Sequence, residues 1–131
     1  MHPVTILLVD DDLDDLEILS SALLKSGAGK VNCVYTCAEA YKYLREATLL
    51  NTLPQLIITD HYLPDIIGTA FISDLSIIPE YKDIPVMVLS TQQSASDRDK
   101  YQKMGVVDFF TKPNTEEEYL VMAKRVVDRL R

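Results

Sequence analysis

Leu56-Ile57-Ile58-Thr59-Asp60 is an apolar run, rich in β-branched residues, that ends on one acid. It breaks at once into His61-Tyr62-Leu63-Pro64-Asp65-Ile66-Ile67-Gly68. Too short for a helix, it reads as a buried strand. Similar runs lie at 4–9, 31–35, 84–89 and 106–110. Helical patterns separate them. Leu16, Leu19 and Leu23 recur at helical spacing behind Asp10-Asp11-Asp12, where Asp11 or Asp12 can cap the helix and Gly27 can stop it. Residues 38–50 put Tyr41, Leu44 and Ala47 on one face, and Phe71, Leu75 and Ile78 form a stripe that Pro79 closes. Residues 96–104 form a short polar helix that stops at Gly105. Thr115 caps the last helix, with Glu118 at capping-box spacing and Leu120, Ala123, Val127 and Leu130 as its buried stripe. Strict alternation of strand and helix predicts an α/β, doubly wound parallel sheet of five strands, with five helices on both faces and right-handed crossovers.

The 131 residues suit one domain with a full core. The formal charge of -7 argues against direct contact with nucleic acid or an anionic membrane, which reward basic patches. No stretch approaches the roughly 20 apolar residues of a membrane span, and the start of the chain lacks the pattern of a signal peptide. Cys33 and Cys37 read as reduced thiols of a cytoplasmic protein.

Ligands of parallel sheets bind outside the strands' carboxyl ends. At those ends this chain places Asp10 and Asp11, then Asp60, then Ser90 with Thr91, then Lys112. Three carboxylates brought together repel unless a cation intervenes, and a hard divalent ion such as Mg²⁺ suits oxygen ligands. An acidic nucleophile, a metal, a hydroxyl and an ammonium are the inventory for accepting a phosphoryl group.

With these residues the chain resembles a response-regulator receiver domain of bacterial two-component signalling. The resemblance covers the whole chain. It rests on Ile-Leu-Leu-Val-Asp-Asp-Asp at 6–12, on Asp60 followed by Leu63-Pro64 and Gly68, on Val-Leu-Ser at 88–90, and on Phe109-Phe110-Thr111-Lys112-Pro113. It implies a flavodoxin-like strand order 2-1-3-4-5 and one receiver domain over 1–131 with no output domain. Asp60 would be phosphorylated by a sensor histidine kinase. Asp10, Asp11, Asp60 and the main-chain carbonyl of Tyr62 would hold Mg²⁺. Ser90 would move to the phosphoryl group, Lys112 would pair with it, and Phe109 would act as the switch aromatic. The Lys112–Pro113 bond would be cis. Activity would be limited to self-phosphorylation and slow autodephosphorylation. The surface of the fourth helix, fifth strand and fifth helix would then engage an unknown downstream protein or a second copy. A Pro-Glu-Tyr-Lys-Asp-Ile-Pro approach at 79–85 resembles receivers that serve phytochrome-like kinases. Tyr62 and Gln92 would influence the phosphorylated lifetime.

Plainer readings stand beside these. Asp12 and Asp14 suit helix capping alone, and Phe109 can equally be core. His61 reads as an exposed loop residue, because neighbours on an extended chain point to opposite sides. An aspartyl-nucleophile phosphatase would need an acid two residues after Asp60, where Tyr62 stands. A flavodoxin-type cofactor site would need a Ser/Thr/Gly-rich loop where Asp10-Asp11-Asp12 stands. A receiver-like scaffold never regulated by phosphorylation is the remaining alternative.

Overall fold

The computed structural model describes residues 3–91 and 94–131. Strands β1 (Thr5–Val9), β2 (Lys30–Val34), β3 (Leu56–Asp60), β4 (Val86–Ser90) and β5 (Asp108–Thr111) alternate with helices α1 (Leu13–Lys25), α2 (Cys37–Leu50), α3 (Gly68–Ser76), α4 (Ala95–Lys103) and α5 (Glu116–Leu130). The strands form one sheet in the order β2-β1-β3-β4-β5, and all four pairings are parallel. Doubly wound topology and strand order are as expected.

Alternation along the strands divides the core in two. Ile6, Leu8, Ile58, Met87 and Leu89 face α1 and α5, where they meet Leu16, Leu19, Leu23, Ala123 and Val127. Leu7, Val9, Ile57 and Val88 face the other way, onto Ala40, Leu44, Phe71, Leu75 and Tyr101. Covering both faces explains why the strands read as continuous apolar runs rather than alternating ones. No described helix is long and apolar enough to cross a membrane. Both cysteines are free thiols, Cys33 exposed and Cys37 buried.

The helix ends follow their sequence signals. Asp12 caps α1, its carboxylate accepting the N–H groups of Asp14 and Asp15 at 3.0 and 3.1 Å. Gly27 ends it with φ at +107°, a conformation costly for any residue with a Cβ. The Ala28 N–H then reaches back to the Leu23 carbonyl at 3.0 Å and the Gly27 N–H to Leu24 at 3.1 Å, a Schellman closure. Thr115 accepts the Glu118 N–H at 3.1 Å, while the Glu118 carboxylate takes the N–H of Asn114 at 3.2 Å rather than that of the cap itself.

Some boundaries differ from expectation. β4 and β5 begin two residues later than the apolar runs, at Val86 and Asp108. The buried stripe of α5 is Tyr119, Ala123, Val126 and Val127, and Leu120 lies at its exposed margin. Val126 and Val127 set the helical phase, and that phase turns Tyr119 inward.

One contact ties the segment after β3 to α2. Thr36 accepts the Glu39 N–H at 3.0 Å, and the Asp65 carboxylate accepts those of Cys37 and Ala38, each at 3.0 Å. All the free N–H groups of the first turn of α2 are thereby met. Desolvation works against the Asp65 carboxylate, but these backbone donors outweigh it and hold its pKa below the usual range. A lowered pKa stabilises the fold above the unfolded value and is lost on acidification. Asp65→Ala is therefore expected to cost about 1 kcal/mol near neutrality, as cap removals do. The deficit should shrink as the pH falls below about 4, measured by denaturant unfolding of both proteins at each pH. A deficit that is the same at both pH values would show that the carboxylate charge is not what caps the helix.

Candidate functional site

Parallel pairing brings the strand ends into one row. Val9 pairs with Thr59, Asp60 with Leu89, and Ser90 with Thr111. Asp10, Asp60, Ser90 and Lys112 are thus delivered to a single edge by register alone. Asp10 and Ser90 are buried, Asp60 is half-buried and Asp11 is exposed. Carboxylate oxygens of Asp10, Asp11 and Asp60 lie within 4.8 Å of one another, close enough to share a cation.

The Lys112 ammonium enters this cluster. It lies 2.7 Å from Asp10, 2.7 Å from Asp15 and 3.4 Å from Asp60. Its backbone N–H donates to the Ser90 carbonyl at 2.8 Å, which fixes the origin of the side chain. Burial opposes its charge, but the hydrogen bonds to Asp10 and Asp15 and the charges of Asp10 and Asp60 prevail, raising its pKa above the ordinary lysine value. Burial likewise pushes the Asp10 carboxyl above its usual range, against the pull of Lys112 and of the Asp12 N–H. Tyr119 lies beside the same charges, and its phenol is pushed up to about 12, first by burial and then by Asp15.

Asp60 is held from two sides. Its Oδ1 accepts the N–H of His61 at 2.7 Å, and its Oδ2 faces Lys112. The Tyr62 side chain is exposed, and its backbone bridges to Ile67 across the turn. Phe109 is buried, its ring centroid 5.1 Å from that of Tyr101, with the Arg98 guanidinium 5.8 Å above it. Gln92 lies outside the described residues.

Two expectations need correction. His61 is buried rather than exposed, with its ring hydrogen-bonded to the Tyr101 hydroxyl. Opposite faces were the right premise, but in a sheet covered on both sides the far face is protein, not solvent. The Lys112–Pro113 bond is trans, since the described residues contain no cis peptide. A trans X–Pro bond is favoured by about 0.5–1 kcal/mol, and the Ser90 carbonyl and the acids already hold Lys112 in place.

Three participants went unnoticed in the sequence. Asp15 lies in the first turn of α1, and one turn of helix carries it from the cap at Asp12 to the sheet edge. Tyr101 sits in a polar helix with no stripe to announce it. Asp65 carries no signal in the sequence that points to the start of α2, which it caps.

Residues 6–124 match the family described as response regulator receiver domain. The chain is 28% identical to the response regulator Rre1 of Synechocystis over 128 residues, 98% of this chain and 53% of that protein. It therefore spans about half the length of that relative. Among solved structures it is similar to the phosphorylated cyanobacterial phytochrome response regulator RcpA, with a TM-score of 0.84, 28% identity, and coverage of 97% of this chain and 93% of that one. It is also similar to the Mn²⁺-bound form of response regulator Rcp1, with a TM-score of 0.80, 25% identity, and coverage of 95% and 91%.

Removing the ammonium leaves Asp10, Asp15 and Asp60 facing each other without a counter-charge. Breaking a buried pair by deleting one partner costs about 3–5 kcal/mol, and the cost here should be smaller because the acids partly reach water. Lys112→Met is expected to lower stability by roughly 2 kcal/mol. Millimolar divalent cation should recover part of the loss, as read from melting curves with and without the ion. Equal stability of the two proteins in chelator would show that the ammonium is not what balances the cluster.

Proposed function

The chain belongs to the response-regulator receiver domain family, and on that premise we propose that Asp60 accepts a phosphoryl group from a histidine kinase. The single observation that carries this reading is the convergence of Asp10, Asp11, Asp60 and Lys112 on one edge of the sheet. Asp60 ends a buried strand with its carboxylate held by the His61 N–H, so the nucleophile is oriented before a donor arrives.

The donor set fits a divalent ion. The clustered ligands are all carboxylate oxygens, which suit a hard cation and not a soft one. Asp10, Asp11 and Asp60, with the main-chain carbonyl of Tyr62, would hold Mg²⁺. When bound, the ion supplies positive charge for the phosphoryl oxygens. Asp60 attacks phosphorus in line as the bond to the donor's imidazole nitrogen breaks. The electron pair of that bond leaves with the imidazole. Lys112 shifts its pairing from the carboxylates to the new phosphoryl oxygens, and the Ser90 hydroxyl donates to them. Phe109 is the candidate aromatic to follow Ser90. The product is an acyl phosphate, which water hydrolyses slowly, so the domain is a switch and not a turnover enzyme.

The similarity to a phosphorylated phytochrome response regulator and to a Mn²⁺-bound relative supports both the phosphoryl group and the metal, and favours a phytochrome-like kinase as donor. Readout falls to the face of α4, β5 and α5; beside β5, and without any residue of α4, a groove of about 860 Å³ against α5 is lined by Phe110, Met122 and Val121 among Arg125 and Arg129. A downstream protein or a second copy would engage it, in the cytoplasm and without nucleic acid or membrane.

Incubation with a small phosphodonor and Mg²⁺ should add one phosphoryl group, lost on mild base treatment, and Asp60→Asn should abolish it. An unchanged intact mass in the wild-type protein would remove the reading. Mg²⁺ alone should stabilise the fold by mass action, by about 1.4 kcal/mol at ten times its dissociation constant, seen as a higher melting temperature. An unchanged melt, together with no binding by titration, would remove Asp10 and Asp11 as ligands.

A further inference from the structure

α4 is bound to the rest of the fold in an unusual way. Only one of its nine residues, Tyr101, is buried. Apart from the exposed Ala95 the rest of the helix is polar, so that side chain is its main apolar attachment. Tyr101 is fully buried, its ring packs beside Phe109, and its hydroxyl bonds to Nδ1 of His61.

His61 is the residue after the proposed phosphoacceptor. Its N–H holds Asp60 Oδ1 at 2.7 Å, and its carbonyl accepts the Gly68 N–H at 2.6 Å. The ring therefore moves with the peptide that holds the Asp60 carboxylate. Its Nε2 lies 3.8 Å from Asp97 Oδ2, on α4, one helical turn before Tyr101. The tautomer that serves both partners carries its proton on Nε2, and Tyr101 donates to Nδ1. Both polar contacts of the ring thus end on α4.

The place for the hydroxyl is reserved. A Cβ at Gly68 would lie 2.6 Å from the Tyr101 oxygen, 3.1 Å from the Asp60 carbonyl and 3.2 Å from the His61 Cα. Only a glycine lets the start of α3, the end of β3 and the tyrosine hydroxyl meet. The hydrogen bond from the end of β3 to α4 is made by the Tyr101 hydroxyl, with the longer His61–Asp97 contact beside it.

We infer that His61 and Tyr101 are positioning residues that couple the Asp60 peptide directly to α4, beside the proposed Ser90–Phe109 route. A change at the Asp60 carboxylate alters the hydrogen bond of the His61 N–H, shifts the ring, and re-seats the helix through Tyr101, its one buried side chain. The inference rests on the phosphoacceptor reading.

The test compares wild type with Tyr101→Phe, which removes one oxygen and keeps the ring in the core. Each protein is treated with small phosphodonor and Mg²⁺. Intact mass reports phosphoryl uptake, and hydrogen exchange reports the α4 amides before and after. In the wild type, phosphorylation should change α4 exchange on the order of fivefold or more, the low end of ordinary coupling. In Tyr101→Phe, uptake should be retained and that change lost. Introducing His61→Leu as well should then remove nothing further from the response, since both substitutions break one link. A purely structural tyrosine predicts faster α4 exchange in both states with the phosphorylation-dependent difference intact, and that result overturns the inference alone. A wild type that takes up no phosphoryl group overturns the phosphoacceptor reading, and this inference with it.

Discussion

The carboxyl edge of the sheet depends on one ammonium placed among acids. Asp10, Asp15 and Asp60 come from the end of β1, α1 and β3, and the Lys112 ammonium lies among all three. The lysine is held at both ends, its N–H by the Ser90 carbonyl and its Nζ by the carboxylates. This one residue therefore joins β4 and β5 to the start of α1. One ammonium offsets part of the charge of three carboxylates, and under the proposed function that pairing would be redistributed. Oxygens of a transferred group can take the ammonium from the acids, and a divalent ion can take the acids from the ammonium. A site built from apolar contacts would have no such second arrangement.

Much of the fold was legible because burial on both faces leaves a strong mark. β3 runs over the same residues as its apolar run, Leu56 to Asp60, since hydrophobicity and β-branching end together at the acid. Elsewhere the apolar run begins before the strand. Ile84 and Val106 pack against the core without joining the ladder, so hydrophobicity located them correctly and hydrogen bonding did not. Leu120 misled for the reverse reason: its hydrophobicity suggested burial, while the phase of α5 gave the inward position to Tyr119.

The site was legible where chemistry sits at a strand end and illegible where it arrives from a helix. Asp10, Asp60, Ser90 and Lys112 each lie at the end of an apolar run or one or two residues past it, and register does the rest. Asp15 reaches the edge only because the turn set by Asp12 points it back over the sheet, a fact of geometry that composition cannot carry. His61 and Tyr101 lie forty positions apart and meet only once α4 is docked. Their pairing leaves a single trace in the sequence, the glycine at 68, which is intelligible only after the tyrosine is seen beside it.

The Asp65 carboxylate gives the segment after β3 a mechanical character that its sequence does not suggest. Because it completes the first turn of α2, that segment and the helix form one cooperative unit of local unfolding. Opening the turn beside Asp60 also frays a helix on the far side of the segment. Opening near Asp60 is thereby resisted by a second element, and if Asp60 carries a phosphoryl group as proposed, the same contact would limit its exposure to bulk water.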